Sequence, residues 1–475
     1  MSAWEGDLLG RADIAEFLQN LLEKGNDDIK VVNIDSPWGT GKTFFLERWC
    51  RHLREERGVV YFNAWEKDYT GDPFVSLVSA IRDQLKAQRS LSDNIEDTIN
   101  DFTTKAAKAV VSIAPGLTKV ISKGLLKKLT AVECEEFTAA IQGATDEVTD
   151  KAVEALIVNS EKDQEAVKQF RNVFEKLVKE VAAEKSNESE NFPVYVFIDE
   201  LDRCRPTYAI ELLERIKHFF DVPGCTFIIA TDTKQLGHSI KAVYGYEFDS
   251  FEYLKRFFDI TYALDNSDVE KWVSVNFDIP GNQKYYCLGL TKKYNFDGGN
   301  ISWATNANQV SPDERAVICK DVELNEMQVI FVALLRTFRS SLRDLVKIRK
   351  HIKASLFNLD RSEIHFFLIC YLIFLKTSDA EAYANFLKGD EREFSEVVNR
   401  RYPPYSLYFI TKSVSVHNIA LSYLSAINAS SEKLGGRLNS NADRLNYQTK
   451  VMLNARNGED YSKYFNLVDL AIQIK

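Results

Sequence analysis

The stretch IKVVNIDSPWGTGKTFFLERW, residues 29–49, decides the fold. Its first residues are apolar and β-branched, which favours a buried strand. Two glycines, Gly39 and Gly41, follow, and the apolar spacing then predicts a helix that begins at Lys42. A glycine-containing loop that feeds a helix N-terminus offers converging backbone N–H groups to an anion. We therefore expect phosphate to bind at this point of the chain.

The loop matches most of the phosphate-binding pattern G-x-x-x-x-G-K-[ST]. We expect Lys42 to reach the β- and γ-phosphate oxygens and the Thr43 hydroxyl to ligate Mg²⁺. Ser36 stands where the pattern begins with glycine. Its side chain restricts the backbone dihedral angles that glycine allows, so the sequence leaves the affinity for nucleotide open. The residues predicted to contact the nucleotide along the loop are Pro37, Trp38, Gly39, Thr40, Gly41, Lys42, Thr43 and Phe44.

A second apolar strand, VYVFIDE at 194–200, ends in two carboxylates. In an ATPase site, the acid that ends the neighbouring strand holds Mg²⁺ and the next acid polarises the attacking water. These roles fall to Asp199 (metal) and Glu200 (catalytic base). A strand running into a solvated acidic turn is the ordinary alternative. The occurrence of both elements, in this order, favours the site.

A third strand, CTFIIATD at 225–232, ends in Thr231 and Asp232. Polar groups there are placed to sense the γ-phosphate, and we include Asp232 among the nucleotide contacts. Capping the helix that follows is an equally good role for it. Because strands alternate with helices through residues 29–232, we predict an α/β fold with a parallel sheet.

The overall composition excludes several classes of protein. At 475 residues, two or three domains are expected. A net charge of −9 argues against a protein that coats nucleic acid generally. Seven dispersed cysteines without a C-x-x-C pair favour a reducing, cytoplasmic location over a disulfide framework. The N-terminal residues carry acids and lack an apolar core, so a secretory signal is not expected.

Three blocks together resemble the KAP family of P-loop NTPases, which are related to the AAA+ and STAND ATPases. The blocks are SPWGTGKTFFLERW, VVYFNAWEKDYTGDPFVSLV and VFIDELDRCRPTYAIELLERIKHFFDVPGCTFIIATD. The resemblance covers roughly residues 5–265 and 325–350. Glu200 stands where many members have a second Asp, and this change is towards the catalytic Glu of AAA+-type ATPases.

The resemblance implies an ASCE-type P-loop ATPase that uses Mg²⁺ with ATP and acts as a switch or motor in a larger assembly, including bacterial defence against phage. It also implies a homo-oligomer or a complex with protein partners, in which an arginine in trans completes the site. Residue by residue, it places Arg11 near the base, Asn63 near the water or phosphate, and Arg256 toward phosphate as a catalytic residue. A turn-forming role is the alternative for Asn63. A weaker match makes Arg343 a sensor-like arginine of a helical lid.

We predict four segments from these patterns. The P-loop core comprises 1–87 and 188–265, and a helical insertion occupies 88–187. An irregular segment rich in aromatics, Asn and Gly spans 266–321, and a helical lid with a C-terminal domain spans 322–475.

Residues 103–132 raise a further alternative, because six lysines interrupt their apolar residues and no acid lies among them. The lysines exclude a transmembrane helix. A peripheral contact with an anionic membrane, an acidic partner or a nucleic-acid backbone, and a plain solvated helix, all stay open. A nucleotide-bound scaffold that recruits an effector and hardly hydrolyses is another alternative.

Overall fold

A computed structural model describes residues 3–24, 29–70, 72–88, 93–113, 151–185, 192–264, 269–278, 285–286, 288, 290, 317–319, 322–359, 364–408, 413–429 and 447–474. The chain divides into two compact units, Met1–Asp265 and Asn266–Lys475.

The first unit alternates strands with helices. Its elements are α1 (Arg11–Lys24), β1 (Val31–Asp35), α2 (Lys42–Leu53), β2 (Val59–Asn63), α3 (Ala64–Lys67), α4 (Pro73–Lys86), α5 (Asp93–Ile113), α6 (Lys151–Lys185), β3 (Val194–Asp199), α7 (Pro206–Phe219), β4 (Cys225–Thr231), α8 (Thr233–Tyr244), α9 (Ser250–Leu254) and β5 (Ile260–Ala263).

The five strands form one sheet in the order β2-β3-β4-β1-β5, and every neighbouring pair is parallel. The central strands β3 and β4 are buried along their whole length, which explains their unbroken apolar sequences. Parallel pairing brings the carboxyl ends of β1, β3 and β4 to one edge of the sheet. The predicted parallel α/β core is therefore confirmed, and all three motif-bearing strand ends meet at the same edge.

Helices cover both faces of the sheet. On one face, Phe45 and Trp49 of α2 pack toward Phe197 of β3, with the Trp49 and Phe197 rings 5.5 Å apart. On the other face, Phe74 of α4 meets Phe219 at the end of α7, with ring centroids 4.9 Å apart. Burying aromatic rings of this size on both faces supplies much of the free energy that holds the sheet.

The helices α5 and α6 continue the second of these cores. Phe102 of α5 lies 5.3 Å from Phe170 and 5.5 Å from Phe174 of α6, measured between ring centroids. The helices α5 and α6, which fall within the segment predicted as a helical insertion, thus pack on each other. Of the basic stretch 103–132, residues 103–113 belong to α5, and residues 114–132 lie outside the described residues.

The second unit is mainly helical. Its elements are α10 (Val269–Asn276), β6 (Val317–Cys319), β7 (Val322–Leu324), α11 (Glu326–Phe338), α12 (Leu342–Phe357), α13 (Phe366–Ser378), α14 (Ala380–Lys388), α15 (Glu391–Arg401), β8 (Ser406–Tyr408), β9 (Ser413–Ser415), α16 (Val416–Asn428), α17 (Tyr447–Arg456) and α18 (Lys463–Ala471).

The helix α13 forms the centre of this unit, and its residues 366–375 are all buried. An apolar run without periodicity is what a helix surrounded by other helices requires. No helix in the described part of the chain is both long and apolar enough to cross a membrane. Most of the irregular segment predicted at 266–321 lies outside the described residues.

Candidate functional site

The loop between β1 and α2 takes its shape from two glycines. Gly39 and Gly41 have φ angles of 84° and 89°, in the left-handed region that favours glycine. Ser36 does not have a positive φ: among the described non-glycine residues, only Glu200 and Arg339 do. The serine at the first position of the motif therefore causes no backbone conflict.

Ser36 instead helps to close the loop. Its buried hydroxyl hydrogen-bonds the hydroxyl of Thr40, which donates to the carbonyl of Pro37 at 2.8 Å. The backbone N–H of Ser36 donates to the carbonyl of Thr231 on β4 at 3.0 Å. These bonds fix the start of the loop to the neighbouring strand.

The helix α2 begins at this loop without a side-chain cap. Gly41 occupies the N-cap position, no side chain bonds the first turn, and the first turn contains no acid. By contrast, Asp72 caps α4 and Asp232 caps α8 through their carboxylates. The N–H groups and the positive dipole end of α2 thus stay available to an anion.

Lys42 directly follows Gly41 as the first residue of α2, and its side chain is half-buried beside the loop. Its ammonium group donates to the carbonyl oxygens of Ser36 (2.5 Å) and Pro37 (3.3 Å). Burial lowers the pKa of Lys42, and nearby carboxylates oppose that effect. These carboxylates belong to Asp202, Asp232, Asp199 and Asp35. One ammonium group therefore faces acids from three strand ends.

Asp199 ends β3 and is buried with defined partners. Its carboxylate accepts hydrogen bonds from the hydroxyl of Tyr61 at 2.9 Å and from the backbone N–H of Glu200 at 2.8 Å. The Tyr61 bond joins β2 to β3 and orients the carboxylate. Asp199 and the Thr43 hydroxyl supply only oxygen donors, which are the ligands Mg²⁺ prefers, so the residues fit the ion.

Glu200 has the most unusual backbone of the site. Its φ of 59° is left-handed, a conformation that costs free energy for a residue with a side chain and that is concentrated at functional sites. Its carboxylate pairs with the Arg203 guanidinium at 2.7 Å. Burial raises the pKa of Glu200, and Arg203 partly opposes the increase.

Asp202 joins three segments of the site. One of its carboxylate oxygens accepts from the indole N–H of Trp38 at 2.5 Å and from the backbone N–H of Asp232 at 3.0 Å. The side chain is buried, whereas Trp38 is 46% exposed on the loop. Asp202 thereby fastens the phosphate loop to the end of β4.

Polar residues under the loop hold β1 and β4 together. Asn33 accepts from the Thr231 hydroxyl at 2.7 Å and donates to the Thr233 hydroxyl at 3.0 Å. Asp35 accepts from the backbone N–H of Thr233 at 2.8 Å. The ends of these two strands therefore form one connected polar layer.

Two predicted contacts act as helix caps. Asp232 accepts from the backbone N–H of Gln235, and Asn63 accepts from that of Glu66. Asn63 lies beside Asp199 in the sheet register, and Asp232 lies among the carboxylates that face Lys42. Both residues are at the correct edge, and each already has a structural role.

Arg11 and Phe44 flank the loop on different sides. The Arg11 side chain is fully buried and donates to the Thr40 carbonyl at 3.4 Å, so it supports the loop from behind. Phe44 is half-exposed, and the Arg48 guanidinium lies 4.3 Å from its ring centroid.

The position of Arg256 corrects the expectation that it points toward phosphate within its own chain. Arg256 lies between α9 and β5, and Asp259, three residues later, bonds the backbone of Lys30 and Val31 where β1 begins. Arg256 thus lies at the amino edge of the sheet, opposite the phosphate-binding loop. The reason is that α8 runs back from the carboxyl edge before β5 starts.

Sequence patterns missed Tyr61, Asn33 and the bridging role of Asp202. Each depends on a partner far away along the chain, at separations of 138, 198 and 164 residues. The local signal is that each lies within three residues of the end of a strand of the sheet.

Comparison with known proteins gives two matches. Residues 11–275 match the model of the KAP family P-loop domain. An uncharacterized protein of Methanocaldococcus jannaschii is 27% identical over 176 residues, which cover 34% of this chain and 84% of that protein. The family match spans more than half of the chain and includes every element of the site. The chain belongs to the KAP family of P-loop NTPases.

Proposed function

We propose that this protein binds ATP with Mg²⁺ at Pro37–Thr43 and hydrolyses it, and that turnover drives a switch or motor in a larger protein assembly. The observation that carries the proposal is the meeting of Lys42, the uncapped N-terminus of α2 and the Asp199–Glu200 pair at one sheet edge. Family membership supports nucleotide binding independently.

The loop provides the binding chemistry. The N–H groups after Gly41 and the Lys42 ammonium group give an anion both hydrogen bonds and opposite charge. Lys42 now bonds loop carbonyls, and phosphate oxygens are stronger acceptors for the same ammonium group. Asp202 keeps the loop in register with β4 while the nucleotide binds.

The carboxylates of Asp199 and Glu200 have separate proposed roles, in metal binding and in water activation. Asp199 and Thr43 would hold Mg²⁺, which neutralises developing charge on the phosphate oxygens. Glu200 orients water for in-line attack on the γ-phosphorus and receives its proton. The raised pKa of Glu200 suits this role, because it makes the carboxylate a better proton acceptor.

A scaffold that binds nucleotide with little turnover is the second candidate, and one contact favours it. The Arg203 guanidinium forms an ion pair with the Glu200 carboxylate at 2.7 Å and lies 5.5 Å from the Trp65 ring centroid. A base held in an ion pair is a poorer proton acceptor. Turnover then depends on a partner that releases Glu200.

We propose that this activity takes place in the cytoplasm and within a larger assembly. The dispersed cysteines support a cytoplasmic protein, and the family resemblance supports an assembly with further copies or protein partners, including anti-phage defence. Because Arg256 is at the opposite edge of its own sheet, any role for it at a phosphate requires a neighbouring copy.

The test is Mg²⁺-dependent phosphate release by the parent protein, Glu200→Gln and Lys42→Ala, measured beside ATP binding. We expect turnover in the parent and a decrease of about 10²- to 10³-fold or more in both variants, with binding kept in Glu200→Gln. Binding without turnover in the parent would favour the scaffold. Absence of binding in the parent would exclude both candidates.

A further inference from the structure

The helix α12 in the second unit carries a line of cations on its exposed face. Arg343, Lys347 and Lys350 are exposed and recur at intervals of four and three residues. This spacing places them on one side of a helix, at about 6 Å and 4.5 Å along its axis. We call these three residues the cationic stripe.

The stripe differs from the adjacent side of the same helix. There, Arg349 and Lys353 both form ion pairs with the Asp278 carboxylate, at 2.6 Å and 2.8 Å. The side chains of the stripe make no ion pair with any acid in the described part of the chain. Uncompensated like charges on one helix face destabilise the helix slightly, so the fold itself does not explain them.

The charge of the surrounding unit agrees with an anionic partner. Residues 266–475 contain 27 Lys and Arg against 23 Asp and Glu, whereas residues 1–265 contain 33 against 46. The protein as a whole has a net charge of −9, whereas the unit that carries the stripe has a net charge of 27 − 23 = +4, because it contains fewer acids. Charge complementarity therefore indicates a polyanion.

An exposed aromatic residue continues the line. Phe357 ends α12 seven residues after Lys350, on the same side of the helix, and is 70% exposed. Phosphates of an extended single strand follow one another at spacings similar to those of the cations. Cations that track a backbone beside an aromatic that stacks on a base are the combination typical of single-strand binding.

We propose that the cationic stripe and Phe357 bind single-stranded nucleic acid without sequence preference. One line of charges matches one backbone, whereas a duplex presents two backbones across a wider surface. A membrane-surface helix needs a continuous apolar face. In α12, Leu345, Ile348, Ile352 and Leu356 are buried in the unit, and the exposed large apolar side chains are only Val346 and Phe357. The proposal is independent of ATP hydrolysis, since it concerns residues of the second unit only.

The test is fluorescence anisotropy of a labelled oligothymidine strand with the full-length protein at several salt concentrations. We expect the logarithm of the binding constant to fall linearly with the logarithm of the salt concentration. The slope should be about −2, as expected for three phosphate contacts with a single strand. The double variant Lys347→Glu/Lys350→Glu should bind more than about tenfold more weakly, with a slope reduced by about 1 or more.

A matched control separates local contacts from net charge. Lys388→Glu/Arg400→Glu makes the same change in net charge at exposed positions of α14 and α15. It should keep affinity within about threefold, because neither residue lies on α12 and the effect of a general change in net charge is largely screened by salt. Thermal unfolding of each variant, followed by circular dichroism, should match the parent because all four positions are exposed.

Phe357→Ala identifies the type of ligand. It should weaken binding of the single strand by at least about fivefold and leave binding to the duplex of the same sequence unchanged. Absence of strand binding, or equal losses in the control and the stripe variants, would overturn the proposal. So would stripe-dependent binding to phosphatidylcholine vesicles containing phosphatidylserine without binding to the oligonucleotide.

Discussion

The two units of this protein differ in the polar groups that they bury. In the first unit, the buried carboxylates of Asp199 and Asp202 lie beside the half-buried Lys42 at the open carboxyl edge of the sheet. In the second unit, the buried carboxylates of Glu270 and Glu326 are bonded to other residues of the same unit, and the core also holds neutral pairs of histidine and tyrosine. His365 bonds the Tyr423 hydroxyl at 3.0 Å, and His417 bonds that of Tyr371 at 2.8 Å.

The comparison distinguishes polar groups that serve the fold from polar groups that serve the proposed chemistry. His417 also contacts the Tyr402 carbonyl, so both of its ring nitrogens have partners inside the core. Lys42, in contrast, keeps its charge in a half-buried position where burial opposes that charge. Neutral, paired groups are expected where only the fold matters. Charges are kept at a cost in stability where chemistry needs them.

The largest effect should come from Lys42→Ala, the change that tests this separation most directly. Phosphate release should fall by about 10³-fold, because the ammonium group that faces the phosphates is lost. The free energy of unfolding should stay the same or rise, because a charge disfavoured by burial is removed. Denaturant titrations beside activity measurements test both parts.

Lys30→Ala is the matched change at the opposite edge of the sheet. Lys30 pairs with Asp221 at 2.6 Å, and both side chains are about one-third exposed. Its loss should lower the free energy of unfolding by no more than about 1 kcal/mol and leave activity intact. A reversed result, with stability lost at Lys42 and activity lost at Lys30, would contradict the comparison.

The second largest effect should be a loss of stability of the second unit in acid. Burial lowers the pKa of His365 to about 3, with Lys463 contributing, and that of His417 to about 4. Both lie below the unfolded value near 6.5, so the unfolded chain binds protons first. The stabilisation is complete above pH 6.5 and decreases as pH falls toward 4, by about 1.4 kcal/mol per histidine at pH 5.5.

Hydrogen exchange resolves this effect by region. Protection of α13 and α16 should fall between pH 7 and pH 5.5. His417→Gln should make the fall shallower by about half, because one titrating ring is removed. His238→Gln, at an exposed position of α8, serves as the control and should change nothing. Equal pH dependence in the parent and His417→Gln would show that burial of this ring is not the cause.

The third effect concerns Asp202, which fastens the loop. In Asp202→Ala, the single carboxylate oxygen that accepts from the N–H groups of both Trp38 and Asp232 is lost. Loss of a charge-assisted hydrogen bond of this kind should lower kcat/KM for ATP by about tenfold. The emission of Trp38 should shift at the same time.

Trp38→Phe gives the comparison for Asp202→Ala. Because both changes break the same bond, the double variant should be less impaired than the two single losses multiplied together. Full multiplicativity would mean that Asp202 acts on the site by some route other than the loop.

The smallest effect should come from Tyr61→Phe. The hydroxyl that orients the Asp199 carboxylate is lost, so the Mg²⁺ concentration needed for half-maximal activity should rise by about threefold. Tyr195→Phe removes a comparable hydroxyl that donates to Glu23 at 3.1 Å. That control should lower stability slightly and leave the Mg²⁺ requirement unchanged.

Much of the core could be predicted because its signals are local. The strand at Val31–Asp35, the glycines at 39 and 41 and the helix from Lys42 lie within one continuous stretch, and the alternation of strands with helices indicated a parallel sheet. The concern about Ser36 was resolved only by its backbone, which does not need the φ angles reserved for glycine.

What could not be predicted depends on contacts between distant segments. The strand order β2-β3-β4-β1-β5 determines which strand ends meet, and no local pattern gives it. Arg256 was misplaced because a motif in the chain does not say at which edge of the sheet it lies. The bonds of Tyr61 and Asp202 follow from that same order.

The helix α6 gives the first unit a mechanical property. At 35 residues it is about 52 Å long. In its second half, Arg171 donates to the Asp221 carbonyl, and the Phe174 ring lies 5.2 Å from the Phe220 ring, measured between centroids. The contact of Arg171 lies at the edge of the sheet where β4 begins, opposite the nucleotide loop, because Asp221 precedes β4 and pairs with Lys30 before β1. From Arg171 the helix extends about 30 Å back to its first residue, so a tilt of 5° at Arg171 moves that end by roughly 3 Å. Small displacements at this edge of the sheet are therefore enlarged at a distance.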